Sequence, residues 1–544
     1  MTSYVIGIDV GTGSVRGALV TKSGEIVKTH SEQITTWNPK PKYYQQSSNE
    51  IWSLCCNVIK QLTRDISPND VKGLGFDATC SLAVLDSNGD PISVNVNDDA
   101  EQNIILWMDH RANKEADLIN ETKHPILRYA GGKVSLEMMV PKIRWLKNNH
   151  PECWKEAEFF FLLPDFLTWR ATNNDYRSLC SVVCKCNYEN NAAYSGWNKE
   201  YFDVIGLQEL SQNNWKKIGS KIIKPGELCG ELSERAARET GLVSGTPVAA
   251  SLIDAHAGGL GVMGCTAKNI PNDFTSRLAL VCGTSTCHMA QSINEVYVPG
   301  VWGPFLNAML PGLWLLEAGQ SVSGKLIDHI IDTHPASQSV KRKCIERANI
   351  HITQYLNDIL DKIAESKGLN SVDELTNEIH IWPDFHGNRS PIADPNLRGM
   401  ILGLTMACDE ENLAVIYLAT IQALAYGTKH IIDAMCHAGH KNIQSVIICG
   451  GVSKNKLFVD THANAIGLPI LIPEQTESVL LGAAQLGAAV AGFYDNLDEA
   501  VCSMAGPAEQ VKPNLDTASY HEKKYQVFLE MLSHQRCCQT IMNS

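Results

Sequence analysis

The stretch GIDVGTGSVRGALV, residues 7–20, sets small and hydroxyl residues between two apolar runs. Both runs have the composition of buried strands, so the residues between them are expected to form a tight turn. Three structures fit such a turn: a dinucleotide fingerprint, a hairpin that holds phosphate, or a plain connection between two strands. The residues that follow the turn help to separate these alternatives.

A dinucleotide fingerprint requires the pattern G-x-G-x-x-G at the start of a helix. Gly11 and Gly13 match the first two positions, but Arg16 stands where the third glycine belongs. The continuation GALVTKSGE is strand-like and ends in a second turn. The sequence therefore argues against the dinucleotide interpretation and leaves the phosphate hairpin and the plain turn.

A phosphate hairpin would use the backbone N–H groups of Gly11, Thr12, Gly13 and Ser14. Such groups form a concave nest for phosphate oxygens, and glycine leaves the approach unobstructed. Asp9 ends the first strand and would lie near the bound phosphates. A carboxylate there suits a magnesium ion held through water, so Asp9 is the candidate metal residue.

The bulk properties restrict the class of protein. The chain has 544 residues, 44% of them hydrophobic and 19% charged, which predicts two sizeable globular domains. A net charge of −13 argues against binding to nucleic acid. The longest apolar stretch, residues 479–494, is rich in Gly and Ala and too short for a membrane span, so it is expected to be a closely packed buried helix.

The cysteines indicate a reducing compartment. The chain has 18 of them without a disulfide-like spacing, and its start lacks the features of a secretory signal, so we expect free thiols and a cytoplasmic protein. The tightest group, CSVVCKC, holds Cys180, Cys184 and Cys186. It has no second ligand pair at zinc-finger spacing, so the sequence does not favour a metal site there.

A second stretch repeats the plan of the first. SRLALVCGTSTCHMAQS, residues 276–292, again sets Gly283, Thr284 and Ser285 between two apolar runs. The echo suggests two domains of one plan, residues 1–266 and 267–544. The polar, helical stretch between Asp328 and Ile381 is expected to be a solvated peripheral segment. Beyond it, helices and strands alternate as in an α/β domain.

Two further segments could carry chemistry. In SLIDAHAGGLGV, Asp254 follows a strand and would be partly desolvated, which suits either a general base or a helix N-cap. In VIICGGVSKN, a buried strand ends in Gly450 and Gly451. A flat ring could lie against that bare backbone while Asn455 bonds a base or ribose, or the segment is only a tight turn with Ser453 as the N-cap.

Two polar sets could bind the hydroxyl groups of a sugar or polyol. The first is Thr79, Cys80 and Ser81, at the end of the strand GFDAT. The second is WMDHR, with Trp107, Asp109 and Arg111. Each set taken alone is also compatible with a structural role.

The order of these motifs resembles that of the FGGY carbohydrate kinases. GIDVGTGSVRG, GFDAT, WMDHR, SLIDAHAG, CGTST, the GxRxP loop of residues 387–391, CGGVSKN and ESVLLGAA follow one another over residues 4–495. The resemblance implies an α/β fold with two ribonuclease-H-like domains, as in actin and hexokinase, around a central cleft.

The resemblance also implies the roles of the candidate residues. Gly11 to Ser14 and Gly283 to Ser285 would be two phosphate turns, and Gly450, Gly451 and Asn455 would hold adenosine. Asp254 would be the catalytic base, and Asp9 would be associated with the magnesium ion of ATP-Mg²⁺. The acceptor would be a small-molecule sugar; the oligomeric state, monomer or homodimer, stays open.

The sugar is suggested by two short segments. TCSLA, which contains Thr79 to Ser81, and WLLEAGQSVSG, which contains Glu317, resemble the D-ribulokinase branch, and Lys185 of CKCNY stands where a substrate-contacting lysine fits. We therefore expect phosphorylation of D-ribulose, with L-ribulose, xylulose, ribitol or glycerol as alternatives. Gln422 departs from the family pattern by replacing an acid. A catalytically silent actin-like nucleotide sensor is the competing class.

Overall fold

A computed structural model describes residues 3–95, 99–347 and 349–544. The opening stretch folds as an antiparallel hairpin in which Asp9 lies opposite Arg16. The strands of the N-terminal half are β1 Tyr4–Val10, β2 Ser14–Thr21, β3 Ile26–Gln33, β4 Gln45–Gln46, β5 Val71–Ala78, β6 Leu82–Leu85, β7 Ile104–Ile105, β8 Phe159–Leu162, β9 Tyr176–Ser178, β10 Tyr188–Asn190, β11 Ser195–Trp197, β12 Lys221–Ile223, β13 Leu228–Glu231, β14 Pro247–Ala249 and β15 Leu252–Ile253.

The helices of that half are α1 Ser48–Thr63, α2 Asn113–Glu121, α3 Met139–Asn149, α4 Pro151–Glu156, α5 Leu163–Thr172, α6 Leu179–Lys185, α7 Lys199–Val204, α8 Glu209–Gln212, α9 Glu234–Thr240 and α10 Asp254–Met263. Helix α1 begins after Ser47, whose hydroxyl accepts a hydrogen bond from the N–H of Glu50. This N-cap satisfies a donor that the helix itself leaves free.

The strands of the C-terminal half are β16 Arg277–Cys282, β17 Thr286–Ser292, β18 Trp302–Leu306, β19 Trp314–Gln320, β20 His380–Trp382, β21 Met400–Leu402, β22 Ser445–Gly450, β23 Ile470–Pro473 and β24 Ala508–Val511. Its helices are α11 Gly324–Thr333, α12 Ser337–Glu346, α13 Ile352–Ser366, α14 Glu410–Ala438, α15 Lys456–Ile466, α16 Ser478–Val490, α17 Leu497–Met504 and α18 Ala518–Asn543.

Two seven-stranded sheets share one plan. The first has the order β13-β14-β5-β1-β2-β3, with β15 also beside β5, and the second has the order β18-β19-β17-β16-β22-β23-β24. In each sheet a hairpin, β1-β2 or β16-β17, has its first strand parallel to the next strand inward, β5 or β22. The two Gly-Thr turns are the connections of these two hairpins, so the echo in the sequence corresponds to one structural element used twice.

Helix α16 joins the two halves through small residues. A Cβ atom on Gly75 of β5 would lie 1.8 Å from the backbone oxygen of Ala483, and one on Gly482 would lie 1.9 Å from that of Ala257 in α10. Only glycine permits such close approach between backbones. The expectation of a buried, closely packed helix is therefore confirmed, and no helix among the described residues is long and apolar enough to cross a membrane.

Two local expectations differ from the structure. The segment near residues 330–380 is helical, but α13 buries Tyr355, Leu356 and Leu360 in the core of the second half, so it is not solvated all round. Its polar residues face outward while one stripe packs against α14, as in an amphipathic helix. Ser453 does not cap a helix, because its hydroxyl donates to the carbonyl of Gly450 and α15 begins at Lys456.

Candidate active site

The two Gly-Thr turns line one cleft of about 420 Å³. In the first turn the N–H of Gly11 donates to the carbonyl of Ser14, with a distance of 3.0 Å. In the second turn the N–H of Gly283 donates to the carbonyl of Ser285, with a distance of 2.8 Å. In each turn the N–H of the first glycine bonds across the turn, to the third residue after it in the first turn and to the second residue after it in the second, and both turns line the cleft.

The glycines of these turns leave room for a ligand. A Cβ atom on Gly13 would meet no atom within 4 Å, and one on Gly11 or Gly283 would meet only a backbone oxygen of its own turn, at 3.7 and 3.9 Å. Here glycine is not required by crowding within the protein. The open backbone fits a cradle for phosphate oxygens.

Hydrogen bonds from neighbouring side chains hold the first turn in place. The indole N–H of Trp107 donates to the hydroxyl of Thr12 at 2.9 Å, and Gln46 Nε2 donates to the carbonyl of Thr12 at 2.7 Å. Lys142 is buried and donates to the carbonyls of Leu106 and Trp107 at 2.6 and 3.1 Å. The turn therefore faces the cleft from a position that several side chains hold.

Asp9 lies at the base of the cleft with 2% of its surface exposed. Arg16 Nε and Nη2 donate to its Oδ2 at 2.9 and 2.5 Å, so the other oxygen is outside this ion pair. Asp77 is in register with Asp9 on β5, and neither of its carboxyl oxygens has a hydrogen-bond donor in the described structure. Burial, and then the negative charge of Asp9, raises the pKa of Asp77 well above its ordinary value, so Asp9, which lines the cleft, is the carboxylate of the two that fits a hydrated Mg²⁺ ion.

Asp254 is the first residue of α10 and also lines the cleft. Its Oδ1 accepts a hydrogen bond from the N–H of Ala255 at 2.7 Å, while the N-cap position belongs to Ile253. Burial, and then the negative charge of Asp9, raises the pKa of Asp254 to about 6. A carboxyl with this pKa can accept a proton at neutral pH and release it again.

A buried pair of opposite charges, Lys185 and Glu317, also lines the cleft. Lys185 Nζ lies 3.8 Å from Glu317 Oε1 and 4.0 Å from the ring centre of Trp302. Burial alone would raise the pKa of Glu317, but Lys185 and His256 outweigh it and lower the pKa to about 2. The carboxylate therefore stays charged and can accept hydrogen bonds from sugar hydroxyl groups.

Sequence reasoning missed two residues of this cleft. Arg389 Nη2 lies 2.9 Å from Glu137 Oε1, and both residues line the cleft. Arg389 belongs to the GxRxP loop, which served as a family marker without a role, whereas Glu137 lies in a stretch with no recognisable pattern. Their pairing joins distant parts of the chain, so the loop motif was the only available signal.

The two polar sets near residues 79–111 have divided roles. Thr79, Cys80 and Trp107 line the cleft, whereas Ser81 lies behind it, where its Oγ accepts a hydrogen bond from the N–H of Trp107 at 3.1 Å. Asp109 is 0% exposed. Its carboxylate is occupied by Arg111 and the N–H of Tyr44, so the expectation that Asp109 binds sugar is corrected to a structural role.

The candidate adenosine residues adjoin the second turn but do not line the cleft itself. Gly450 is paired with Cys282 on the neighbouring strand, and its φ of +93° and a 2.1 Å approach to the Cys282 oxygen require glycine. A Cβ atom on Gly451 would meet no atom within 4 Å. This open backbone fits a flat ring at the edge of the second turn.

The side chain of Asn455 is held within a network. Asn455 Nδ2 donates to the hydroxyl of Tyr417 at 2.7 Å, and its Oδ1 accepts from Asn357 Nδ2 at 3.1 Å. The hydroxyl of Tyr417 donates in turn to Asn357 Oδ1 at 3.2 Å. Asn357 lies on α13, so the polar segment that the sequence left without a role contributes to this region.

Comparison with known proteins gives the family. Residues 4–261 match the N-terminal domain of the FGGY family of carbohydrate kinases, and residues 278–491 match the C-terminal domain. The chain is 48% identical to the FGGY carbohydrate kinase domain-containing protein of Xenopus laevis, over 99% of this chain and 98% of that protein. It is 37% identical to a D-ribulokinase of Saccharomyces cerevisiae, over 95% of this chain and 76% of that protein.

The solved structures agree on the fold. A gluconate kinase from Lactobacillus acidophilus superimposes with a TM-score of 0.80 at 20% identity, over 98% of each chain. The two-domain fold of actin and hexokinase type, expected from the sequence, is confirmed. The family-model matches and the close relatives show that this chain belongs to the FGGY family of carbohydrate kinases.

Proposed function

We propose that this kinase transfers the γ-phosphoryl group of ATP to a ketopentose, and that the acceptor is D-ribulose, which becomes D-ribulose 5-phosphate. The observation that carries the proposal is the position of Asp254, which shares one cleft with both Gly-Thr turns and with the pair Lys185–Glu317. A base, two phosphate cradles and a charged polar end are the parts that sugar phosphorylation requires.

The chemical step needs one proton acceptor. Asp254 would take the proton of the primary hydroxyl group while that oxygen bonds to the γ-phosphorus and the bond to ADP breaks. The raised pKa of Asp254 suits this task, because a stronger base accepts the proton more readily than an ordinary carboxylate. The proton leaves with solvent once the product departs.

The nucleotide would lie across both halves of the molecule. Members of the FGGY family use ATP, and the amides of Gly11 to Ser14 and of Gly283 to Ser285 would donate to its phosphate oxygens. Gly450 and Gly451 would face the adenine, and Asn455 would border it. Asp9 would hold Mg²⁺ through water, and the ion would supply positive charge to the phosphate oxygens.

The sugar would occupy the end of the cleft lined by Lys185 and Glu317. Lys185 donates hydrogen bonds and Glu317 accepts them, so together they can fix vicinal oxygens of a pentulose. Thr79 and Cys80 line the same cleft, and Ser81 would act through Trp107. Closure of the two halves would exclude water, which otherwise competes with the sugar as acceptor.

The choice of D-ribulose rests on the yeast D-ribulokinase, which is 37% identical to this chain. The fold does not choose the sugar, because gluconate kinase shares it. L-ribulose, xylulose, ribitol and glycerol are the alternatives within the class. We place the enzyme in the cytoplasm, a compartment that would keep its 18 free cysteines reduced.

The test is an ADP-release assay coupled to a second enzyme, run with ketopentoses, polyols and glycerol as separate acceptors. We expect D-ribulose to give the highest kcat/KM. Comparable kcat/KM values for D-ribulose and D-xylulose would exclude the specific assignment. ADP release equal to the sugar-free blank with every acceptor would contradict the kinase and favour a nucleotide sensor of the same fold.

A further inference from the structure

We propose that Cys180, Cys184 and His256 form a buried binding site for a soft divalent metal ion of the zinc class. This site is separate from the magnesium role of Asp9. The sequence offered only the three cysteines of CSVVCKC and no second ligand pair. The fold supplies the third ligand from a position more than 70 residues away.

The three side chains converge on one point. Cys180 and Cys184 lie one turn apart on the same face of α6, and His256 lies in the first turn of α10. Their sulfur and ring-nitrogen atoms all lie within 4.8 Å of one another. All three residues are buried, so the site is shielded from competing water.

The spacing suits a tetrahedral ion after a small contraction. Zinc binds sulfur at about 2.3 Å and imidazole nitrogen at about 2.0–2.1 Å, so tetrahedral ligands lie roughly 3.5–3.8 Å apart. Cys184 Sγ lies 3.9 Å from His256 Nε2, close to that range. No separation within the group exceeds 4.8 Å, so the widest would shorten by about 1 Å at most, which small rotations of the side chains can supply.

Glu317 adjoins this group without belonging to it. Its Oε2 lies 3.2 Å from His256 Nε2, but the ligand atoms within 4.8 Å of one another are only the two sulfur atoms and the imidazole nitrogen. The fourth tetrahedral position would be filled by a water molecule that enters with the ion. Two thiolates, one imidazole and one water form a set that zinc accepts.

The charges balance when the ion is present. Two thiolates offset the charge of a divalent ion, and the neighbouring carboxylate of Glu317 has its own cation in Lys185, 3.8 Å from its Oε1. Binding would release the thiol protons to solvent. Because Glu317 adjoins His256 and also lines the cleft, the ion would enter from the cleft.

The test uses the full-length protein, freed of metal by a chelator and kept reduced with a phosphine. We expect one equivalent of Co²⁺ to produce a sulfur-to-cobalt charge-transfer band in the near ultraviolet and the intense visible bands of a tetrahedral ion. One equivalent of Zn²⁺ should then remove these bands. Elemental analysis after gel filtration counts the bound zinc directly.

The variants Cys180→Ser, Cys184→Ser and His256→Gln should each weaken Co²⁺ binding at least about tenfold and reduce the charge-transfer band. Cys186→Ser is the matched control, because this buried cysteine directs its sulfur to Met139 and Ser181 instead. Near-ultraviolet circular dichroism checks the fold of each variant.

Stoichiometric binding that depends on these three residues and not on Cys186 supports the site. The absence of a thiolate band in the wild-type protein overturns it, whether or not any variant folds. Binding that survives in the folded variants overturns it as well. Neither result depends on phosphotransfer, so failure of the metal site and failure of the proposed kinase activity are distinguishable.

Discussion

Arg16 donates two hydrogen bonds to a single carboxylate oxygen of Asp9, from Nε at 2.9 Å and from Nη2 at 2.5 Å. The two residues face each other across the first hairpin, so one guanidinium fixes the orientation of the candidate metal residue. Arg16 also lies 3.2 Å from Glu477, at the start of α16. The arginine that argued against a dinucleotide fingerprint thus lines the candidate active site.

The variant Arg16→Gln should lower kcat about ten- to hundredfold, because a charged hydrogen bond contributes about 1.5–3 kcal/mol. The lower kcat should be seen when sugar and ATP are both saturating, because Asp9 would still be present but wrongly oriented. The coupled assay measures it. Arg235→Gln is the control, because that arginine pairs with Glu239 on an exposed helix face. Unchanged turnover in Arg16→Gln would show that the ion pair is only structural.

The raised pKa of Asp254 predicts that kcat/KM for the sugar falls on the acidic side of its pH profile. Its pKa is raised to about 6, and only the ionised form can act as a base, so kcat/KM for the sugar should fall about tenfold per pH unit below pH 6. Above that pH the profile should be level until another group titrates. The measurement is kcat/KM from pH 5 to pH 8 in a series of overlapping buffers. A flat profile over that range contradicts the assignment of the base.

The variant Asp254→Asn should abolish turnover, retain ATP binding and stabilise the protein. The pKa of the Asp254 carboxyl is higher in the folded state than in the unfolded state. The protein therefore loses free energy of unfolding as the pH rises from about 4 through about 6. At pH 8 the neutral amide avoids that cost, so the free energy of unfolding should rise by up to about 3 kcal/mol. Denaturant unfolding at pH 8 and pH 4 measures it, and the gain should vanish at the lower pH.

Substitution of Asn357 should raise KM for ATP and leave KM for the sugar unchanged. It lies on α13 and holds Asn455 together with Tyr417, through bonds of 3.1 and 3.2 Å. In Asn357→Leu the amide of Asn455 loses one partner, so we expect KM for ATP to rise about three- to tenfold. KM for the sugar should stay within twofold. Tyr417→Phe should give the same pattern, and an equal rise in both KM values would indicate general damage instead.

Much of the fold was predictable because its signals are local. The hairpins at residues 4–21 and 277–292 have apolar runs interrupted by Gly-Thr turns, and α14 is a long, mostly apolar segment without proline. Helix α16 was recognisable from its small residues, which backbone contact with β5 requires. Motif order then identified the family, whose domains meet at one cleft.

The remainder depended on contacts between distant segments. Glu137 accepts a hydrogen bond from Arg389, which is 252 positions away in the chain, and no sequence pattern around Glu137 predicts this contact. Asp109 was misread because an acid beside a tryptophan suits a sugar site as well as an internal ion pair. The structure distinguishes the two roles, because Asp109 is fully buried and its partner Arg111 is itself packed over the ring of Tyr43.

The backbone at Gly451 offers a test of the nucleotide site. A Cβ atom there would meet no atom within 4 Å, so we expect Gly451→Trp to fold while its indole occupies the space proposed for adenine. We expect ATP binding to weaken at least tenfold, measured by calorimetry. Val204→Trp adds an indole to an exposed position of α7 and is the control. Equal ATP affinity in both variants would remove this site from the proposal.

A substitution at Asp109 tests whether this acid has a structural role or binds the sugar. Asp109→Asn leaves the buried guanidinium of Arg111 without a charged partner, and removing one member of a buried pair costs about 3–5 kcal/mol. We therefore expect a clear loss in the free energy of unfolding and an unchanged KM for the sugar in the fraction that remains folded. Thermal and denaturant unfolding measure the first quantity, and the coupled assay measures the second. The opposite pattern, normal stability with a raised KM, would return Asp109 to the sugar site, because a hydroxyl ligand contributes to binding without contributing to the fold.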